Sequence, residues 1–243
     1  MVVALRAASV VAFLLLWEWA AQVPVSFNFP GPWATLLALI DLVASGALIE
    51  ATLTSGQSLL LGFGAAVALG VPFGLVMGVV RPIGRVARFY IDLLIALPTA
   101  ALIPLVILTF GINIASSAVI VFVFSAPFIT MNAFGGVRDV RPRLVEMARS
   151  FQASWAELFV QVILPAAMPM ILAGLRLGLS RAFLGLIIAE LLLSPFGLGR
   201  LIMASRSMFE HDKMFATVVW TLLLSGLALA ALARLELRLL RWR

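Results

Sequence analysis

The sequence predicts an all-α membrane protein with about six transmembrane helices and a cytoplasmic helix-turn-helix loop between the fourth and fifth spans. Of its 243 residues, 63% are hydrophobic and 12% are charged, and a mean hydropathy of +1.15 is far above that of soluble domains. Residues 51–80 and 93–137 carry no charge, whereas residues 138–165 are charged and amphipathic. We therefore expect a single transmembrane domain over residues 1–243.

The apolar runs are long enough for six crossings, because each crossing needs about 20 residues. Gly111-Ile112-Asn113 divides the second uncharged stretch, which is too long for one span. The first residues resemble a signal peptide, but Trp17-Glu18-Trp19 replaces the small residues of a cleavage site, so we expect an uncleaved first span. The predicted spans are approximately 5–22, 52–80, 89–110, 115–135, 168–193 and 214–234.

The distribution of basic residues predicts the orientation of these spans. An even number of spans places both termini on one side, and twelve of the 17 basic residues fall on that side. The positive-inside rule makes this the cytoplasmic side of the membrane. The net charge of +6 then reflects topology rather than a nucleic-acid surface. The twelve residues are Arg6, Arg81, Arg85, Arg88, Arg138, Arg141, Arg143, Arg149, Arg234, Arg238, Arg241 and Arg243.

Three glycines in the second span follow one another at a spacing of four. Gly70, Gly74 and Gly78 would form one small-residue face, which allows close helix packing in membranes. Scattered glycines are also common in membrane helices, so the pattern alone leaves both interpretations open.

The 138–165 loop is predicted to form two short amphipathic helices joined by a turn near Gln152-Ala153. Pro142 suits the first turn of the first helix. Ser154 and Glu157 have the spacing of a capping box that starts the second helix, and Leu164-Pro165 is expected to end it. Such a pair is typical either of a membrane-surface element or of a docking element for a soluble partner. The apolar stripe of the second helix is Trp155, Leu158, Phe159 and Val162.

The order of residues in this loop, Glu146-Met147-Ala148, then Gln152, then Val162-x-Leu164-Pro165, resembles the E-A-A…G…I-x-L-P loop of ABC importer membrane subunits. The resemblance implies a loop that sits in a cleft of a separate ATPase. Met147 replaces an alanine of the family pattern, and Gln152 replaces a glycine, which would allow positive φ. The implied ATPase-docking residues are Glu146, Ala148, Phe151, Gln152, Ser154, Trp155, Leu158, Phe159, Leu164 and Pro165.

The resemblance extends over nearly the whole chain, to importers of sulfonates, taurine, nitrate and similar solutes. It rests on residues 96–105 and 175–182, on Ala189-Glu190, on Gly197-Leu198-Gly199 and on the basic tail 235–243. It implies a membrane-spanning permease subunit that forms the pathway for a small, anionic or polar solute. The implied partners are two ABC ATPase subunits, a second permease copy in a homodimer, an extracytoplasmic substrate-binding protein and the lipid bilayer.

The chain itself is not expected to be an enzyme. It has no cysteine, one histidine and no G-x-x-x-x-G-K-[ST] loop, since Lys213 is its only lysine and Met214 follows it. We expect no cofactor in this chain, with ATP and Mg²⁺ bound by the partner ATPase. A stand-alone secondary transporter is the alternative, and it would need intramembrane acids such as Glu190. A membrane enzyme is a weaker alternative, because no catalytic constellation is evident.

Polar and helix-breaking residues inside the predicted spans are candidates for the translocation pathway. Prolines free backbone carbonyls that must face protein or water, and charged side chains in a membrane are costly. The opposing interpretation is structural: kinks in single helices, and arginines or Glu190 paired with another helix or a second copy. The candidates are Pro98, Thr99, Ser125, Asn132, Arg176, Arg181 and Glu190.

Overall fold

The computed structural model describes residues 2–23, 29–193 and 196–240, and these segments are helical without any strand. The all-α prediction is therefore confirmed. The helices in chain order are α1 (Val2–Gln22), α2 (Pro32–Ala44), α3 (Ala47–Val79), α4 (Arg81–Ala96), α5 (Ile103–Phe110), α6 (Ile114–Arg138), α7 (Pro142–Ser150), α8 (Trp155–Glu157), α9 (Leu164–Leu193), α10 (Gly197–Ser207) and α11 (His211–Leu239).

Four helices in the described part of the chain are long and apolar enough to cross a membrane: α3, α6, the continuous helix Trp155–Leu192 and α11. A fifth crossing results if α4 and the helical segment Thr99–Phe110 count as one span. The predicted first span coincides with α1, but its apolar part, Ala8–Gln22, is shorter than 18 residues. Length and composition thus give four or five spans where about six were expected.

The third predicted span, 89–110, is broken rather than straight. Helix α4 ends at Ala96, a 3₁₀ turn covers Thr99–Leu102, and the following helix runs at 91° to α4. Pro98 causes the break because it has no N–H to donate and forces Leu97 into an extended conformation, at φ −67° and ψ 141°.

Helix α6 forms the centre of the bundle, between α3 and α9. The glycine face of α3 packs directly on it: a Cβ on Gly74 would lie 2.4 Å from the carbonyl oxygen of Thr130, and one on Gly78 would lie 2.4 Å from Val137 Cβ. On the other side, a Cβ on Gly178 of α9 would lie 2.5 Å from Ile129 Cγ1. The predicted small-residue face is therefore a close helix contact.

The prediction that Leu164-Pro165 ends the second helix of the loop is wrong. Helix α8 continues through a π-helical stretch, Leu158–Ile163, into α9. The N–H of Leu164 donates to the carbonyl of Phe159, one residue further back than in an α-helix. Pro165 therefore falls in the first turn of the next α-helical segment, where a missing N–H and the proline ring are tolerated.

Candidate functional site

The turn of the 138–165 loop is a helix C-cap with a glutamine at its left-handed position. The N–H of Gln152 donates to Arg149 O at 2.9 Å, and the N–H of Ala153 donates to Ala148 O at 3.1 Å. These two bonds define a Schellman motif, in which Gln152 adopts φ +58°. The position predicted for the turn is confirmed, and an exposed glutamine adopts the conformation that glycine most often supplies.

The capping box predicted at the start of α8 is present. The N–H of Ser154 donates to Glu157 Oε2 at 2.8 Å, and the N–H of Glu157 donates to Ser154 Oγ at 3.4 Å. Together with the Schellman motif, these bonds fix the direction in which α8 leaves the turn.

The residues predicted for ATPase docking divide into an inward set and an outward set. Ala148 and Leu158 are buried in an apolar cluster with Val137 of α6 and Ile163, which precedes α9. Phe159 and Leu164 pack against the same cluster, and Pro165 is half-buried. The outward set is Glu146, Phe151, Gln152, Ser154 and Trp155, which are all exposed.

The two aromatic side chains of the outward set lie outside the apolar cluster that buries Ala148 and Leu158. Phe151 is 81% exposed and Trp155 is 59% exposed, and Met147 beside them is 54% exposed. The loop thus presents large apolar side chains on a framework that is itself anchored in the bundle.

Glu190 is the buried acid of a closed polar cluster at the opposite end of α9. Only 1% of its surface is exposed. Ser55 Oγ donates to its two carboxylate oxygens at 2.7 and 2.9 Å, and the N–H of Gly199 donates to Oε2 at 2.9 Å. Ser55 Oγ also accepts a bond from the N–H of Leu198 at 2.9 Å. The carboxylate therefore caps the N-terminus of α10, where backbone N–H groups favour a negative charge.

The remaining pathway candidates do not form one site with Glu190. Arg176 pairs with Glu236 of α11, and the Arg181 guanidinium lies 4.7 Å from the centre of the Phe128 ring, a cation–π contact. Ser125 Oγ and Asn132 Nδ2 each donate to a carbonyl one turn earlier in α6, at 2.7 and 2.8 Å. Pro98 and Thr99 lie at the bend between α4 and α5. Among the described residues no group of three or more His, Asp and Glu side chains is placed to hold a metal ion.

The sequence model of the family described as "Binding-protein-dependent transport system inner membrane component" matches residues 70–241. The chain belongs to this family.

Three relatives are 30–35% identical to the permease, and each alignment covers most of this chain and most of the relative. The aliphatic sulfonates transport permease SsuC of Escherichia coli (strain K12) is 35% identical over 234 residues, which is 96% of this chain and 89% of the relative. Its namesake in Bacillus subtilis (strain 168) is 34% identical over 218 residues, 88% of this chain and 78% of the relative. The taurine transport permease TauC of Escherichia coli (strain K12) is 30% identical over 218 residues, 88% of this chain and 79% of the relative.

Solved structures share the fold of the permease at lower identity. An inward-facing MetNI methionine ABC transporter superposes with a TM-score of 0.64 at 19% identity, covering 82% of this chain and 97% of the other. An amino acid ABC transporter solved with histidines gives a TM-score of 0.62 at 20% identity, covering 84% and 98%. The fold of this chain therefore also occurs in ABC transporters of known structure.

Sequence reasoning missed the partners of the charged residues in the permease. Ser55, Glu236 and Phe128 supply them, and they lie 135, 60 and 53 residues away in sequence from Glu190, Arg176 and Arg181, each on another helix. One local signal was available for Glu190: Gly197-Leu198-Gly199 follows it closely, and these glycines leave room for a carboxylate at a helix start.

Proposed function

We propose that this permease forms the translocation pathway of an ATP-driven importer for a small anionic or polar solute of the sulfonate or taurine type, and that it is driven by a separate ATPase. The solute class is supported by the names of the relatives, two for aliphatic sulfonates and one for taurine. Arg181 supports an anionic solute, because a guanidinium held by a ring rather than by a carboxylate keeps its hydrogen-bond donors.

The observation that carries the ATPase coupling is the exposed aromatic edge of the 138–165 loop. Phe151 and Trp155 project from a turn that the Schellman motif and the capping box hold in one conformation. Large exposed apolar side chains beside charged residues are typical of protein–protein contacts, where aromatic residues carry much of the binding energy. The exposed carboxylate of Glu146 adds a negative group for a basic side chain of the ATPase.

The connection between the loop and the bundle supports transmission of movement. Helix α8 leads without a break through the π-helical stretch into α9, so displacement of Trp155 displaces the start of α9. Ala148 and Leu158 couple the same loop to α6 through the apolar cluster. ATP-driven closure of the ATPases would thus act on two helices of the bundle through one rigid loop.

The complete importer in this proposal contains two permease copies as a homodimer, two ATPase subunits that bind ATP and Mg²⁺, and an extracytoplasmic binding protein. With the six predicted spans, the loop and both termini face the cytoplasm at a bacterial inner membrane, because twelve of the 17 basic residues then lie on the side of the loop. A stand-alone secondary transporter is disfavoured, because Glu190, its best ion-coupling acid, is already bonded to Ser55 and Gly199.

Replacing the two exposed aromatics tests the coupling. A Phe151→Ala, Trp155→Ala double variant removes apolar anchors but no buried contact of the bundle. Truncating one such anchor costs 2 kcal/mol or more, about thirtyfold in affinity. We expect the double variant to reach the membrane in normal amount, to recover at least about thirtyfold less ATPase in detergent pull-downs, and to lose taurine or alkanesulfonate uptake.

Phe209→Ala is the matched control, because Phe209 is 79% exposed but lies after α10, away from the loop. It should retain both ATPase recovery and uptake. Normal ATPase recovery by the double variant would assign the aromatics to the membrane surface instead and remove the main support for the proposed coupling.

A further inference from the structure

A basic cavity of about 250 Å³ opens where α3 ends, α4 begins and α6 ends. Its apolar wall is formed by Met77, Gly84 and Phe134. No acidic residue is among the side chains that line it. The polar wall consists of the arginines Arg81, Arg85, Arg88 and Arg138.

The fold brings these arginines together by two features. Arg81, Arg85 and Arg88 are spaced by four and three residues, so they share one face of α4. Gly84 lets that helix approach α3 closely, since a Cβ there would lie 2.3 Å from the carbonyl oxygen of Met77. Arg138, the last residue of α6, adds a fourth arginine to the lining from a second helix.

Most of the charge of this cavity has no ion-pair partner among the residues that the structure describes. Arg88 forms an exposed ion pair with Asp92 at 3.3 Å. Arg81, Arg85 and Arg138 form no ion pair with any residue in the described segments. Guanidinium groups that surround one space repel each other unless an anion enters, and their planar forks match the oxygens of a phosphate.

The face of α4 opposite the arginines indicates that the anionic group belongs to the membrane. Ile83, Val86 and Tyr90 lie on that face and are between 41% and 61% exposed, and Phe89 on its flank is 67% exposed. The first turns of α4 combine arginines with exposed aliphatic and aromatic side chains, which is typical of a helix segment at the membrane interface. Its later turns enter the bundle, where Ile91 and Leu94 line one cavity with Phe122 and Ala126 of α6. The arginines would stand at the level of the lipid headgroups.

We propose that the arginine cavity binds the phosphate-bearing headgroup of an acidic phospholipid. Its volume lies below the roughly 300–1,000 Å³ of sites that enclose a whole small-molecule ligand, which suits a headgroup whose acyl chains remain in the bilayer. Basic pockets between membrane helices bind headgroups in this way. The bound lipid neutralises the arginines and holds the start of α4 at the membrane interface. This inference goes beyond the proposed function and requires only that the chain lies in a membrane.

The test compares two pairs of arginines in the full chain, purified from membranes and delipidated in detergent. Arg85→Gln with Arg138→Gln removes two charges from the cavity. The control pair, Arg234→Gln with Arg238→Gln, removes two exposed charges from the end of α11. That end is predicted to lie on the same side of the membrane as the cavity. Native mass spectrometry then measures binding of phosphatidylglycerol, with phosphatidylcholine as the zwitterionic reference and inorganic phosphate as the free anion.

We expect the unmodified chain to bind one phosphatidylglycerol in preference to phosphatidylcholine. The cavity pair should bind it about thirtyfold more weakly, given about fivefold for each arginine near an anionic headgroup. The tail pair should change the affinity less than about twofold. Equal weakening by both pairs would mean diffuse attraction rather than a site, and would overturn the proposal.

Two further outcomes would also overturn the lipid proposal, because each would show that the cavity binds a different ligand. Saturation by inorganic phosphate without any preference for phosphatidylglycerol would assign the cavity to a free anion. Loss of ATPase recovery from the cavity pair, with phosphatidylglycerol binding unchanged, would assign it to an acidic surface of a protein partner. Normal ATPase recovery with lost lipid binding supports the lipid site and separates it from the coupling proposal.

Discussion

Two left-handed residues stand near the two ends of the long helix that runs from Trp155 to Leu193, and they differ in what surrounds them. Gln152 adopts φ +58° in the 138–165 loop, and Gly197 adopts φ +83° at the start of α10. Gln152 is exposed, so its side chain extends into open space. A Cβ on Gly197 would lie 2.3 Å from Glu190 Oε1. A positive φ alone therefore does not demand glycine here; the neighbouring carboxylate does.

The two ends also differ in the forces that hold them. Apolar contacts of Ala148 and Leu158 anchor the loop, while its polar groups stay in solvent or in local caps. The α9–α10 junction depends on hydrogen bonds from Ser55 and Gly199 to a buried carboxylate. Displacing the loop leaves no buried polar group unpaired. Opening the junction would leave the buried carboxylate and its donors unpaired, which costs considerable free energy. We expect the loop to move and the junction to stay closed during transport.

The largest expected effect is at the junction, with Glu190→Ala. The change leaves the Gly199 N–H and the Ser55 hydroxyl buried without their acceptor, and each such loss costs about 1–3 kcal/mol. The midpoint of thermal unfolding in detergent should fall clearly. Glu146→Ala, which removes an exposed acid of the loop, should leave the midpoint nearly unchanged. A similar midpoint for both variants would show that the buried carboxylate is not what holds α10.

A smaller loss is expected from Gly197→Ala, and Gly46→Ala is its matched control. Both glycines are left-handed, at φ +83° and +77°, but nothing lies within 4 Å of a Cβ on Gly46. Gly46→Ala therefore reports the backbone cost alone, about 1 kcal/mol. Gly197→Ala adds the collision with Glu190, worth a further 1–3 kcal/mol, roughly the cost of overpacking a core. Equal losses in unfolding free energy would contradict the explanation that the carboxylate excludes a side chain.

The sequence was a good guide to features that depend on neighbouring residues. The capping box of Ser154 and Glu157, the turn at Gln152 and the glycine face of α3 all follow from spacings of three or four residues, and all are present. Local spacing determines these features because the groups involved meet within one or two helical turns.

The sequence was a poor guide where distant contacts or alternative hydrogen bonding decide. Pro165 was expected to end a helix, but a π-helical stretch before it removes the conflict. Pro98 was expected inside a span, yet it breaks that span by 91°. The bonds of Glu190 to Ser55 join residues 135 positions apart, and no local pattern predicts such pairing. The ten docking residues looked like one surface because periodicity cannot tell which side of a short helix faces the bundle.

The smallest effect is expected at the loop turn, from Gln152→Gly. Glycine relieves the left-handed strain of an L-residue, about 1 kcal/mol, but it also gains freedom in the unfolded chain, which costs about 0.5–1 kcal/mol. These terms nearly cancel, so the unfolding midpoint should change little or rise slightly, and ATPase recovery should persist. Gln152→Val should lower the stability instead, because a β-branched residue tolerates positive φ poorly. We expect it to destabilise the turn by about 1–3 kcal/mol. If Gln152→Gly instead abolished ATPase recovery while the fold stayed intact, the glutamine side chain itself would contact the partner. The presence of glutamine at position 152 and glycine at position 197 would then reflect binding of the ATPase by the glutamine rather than the space available for a Cβ.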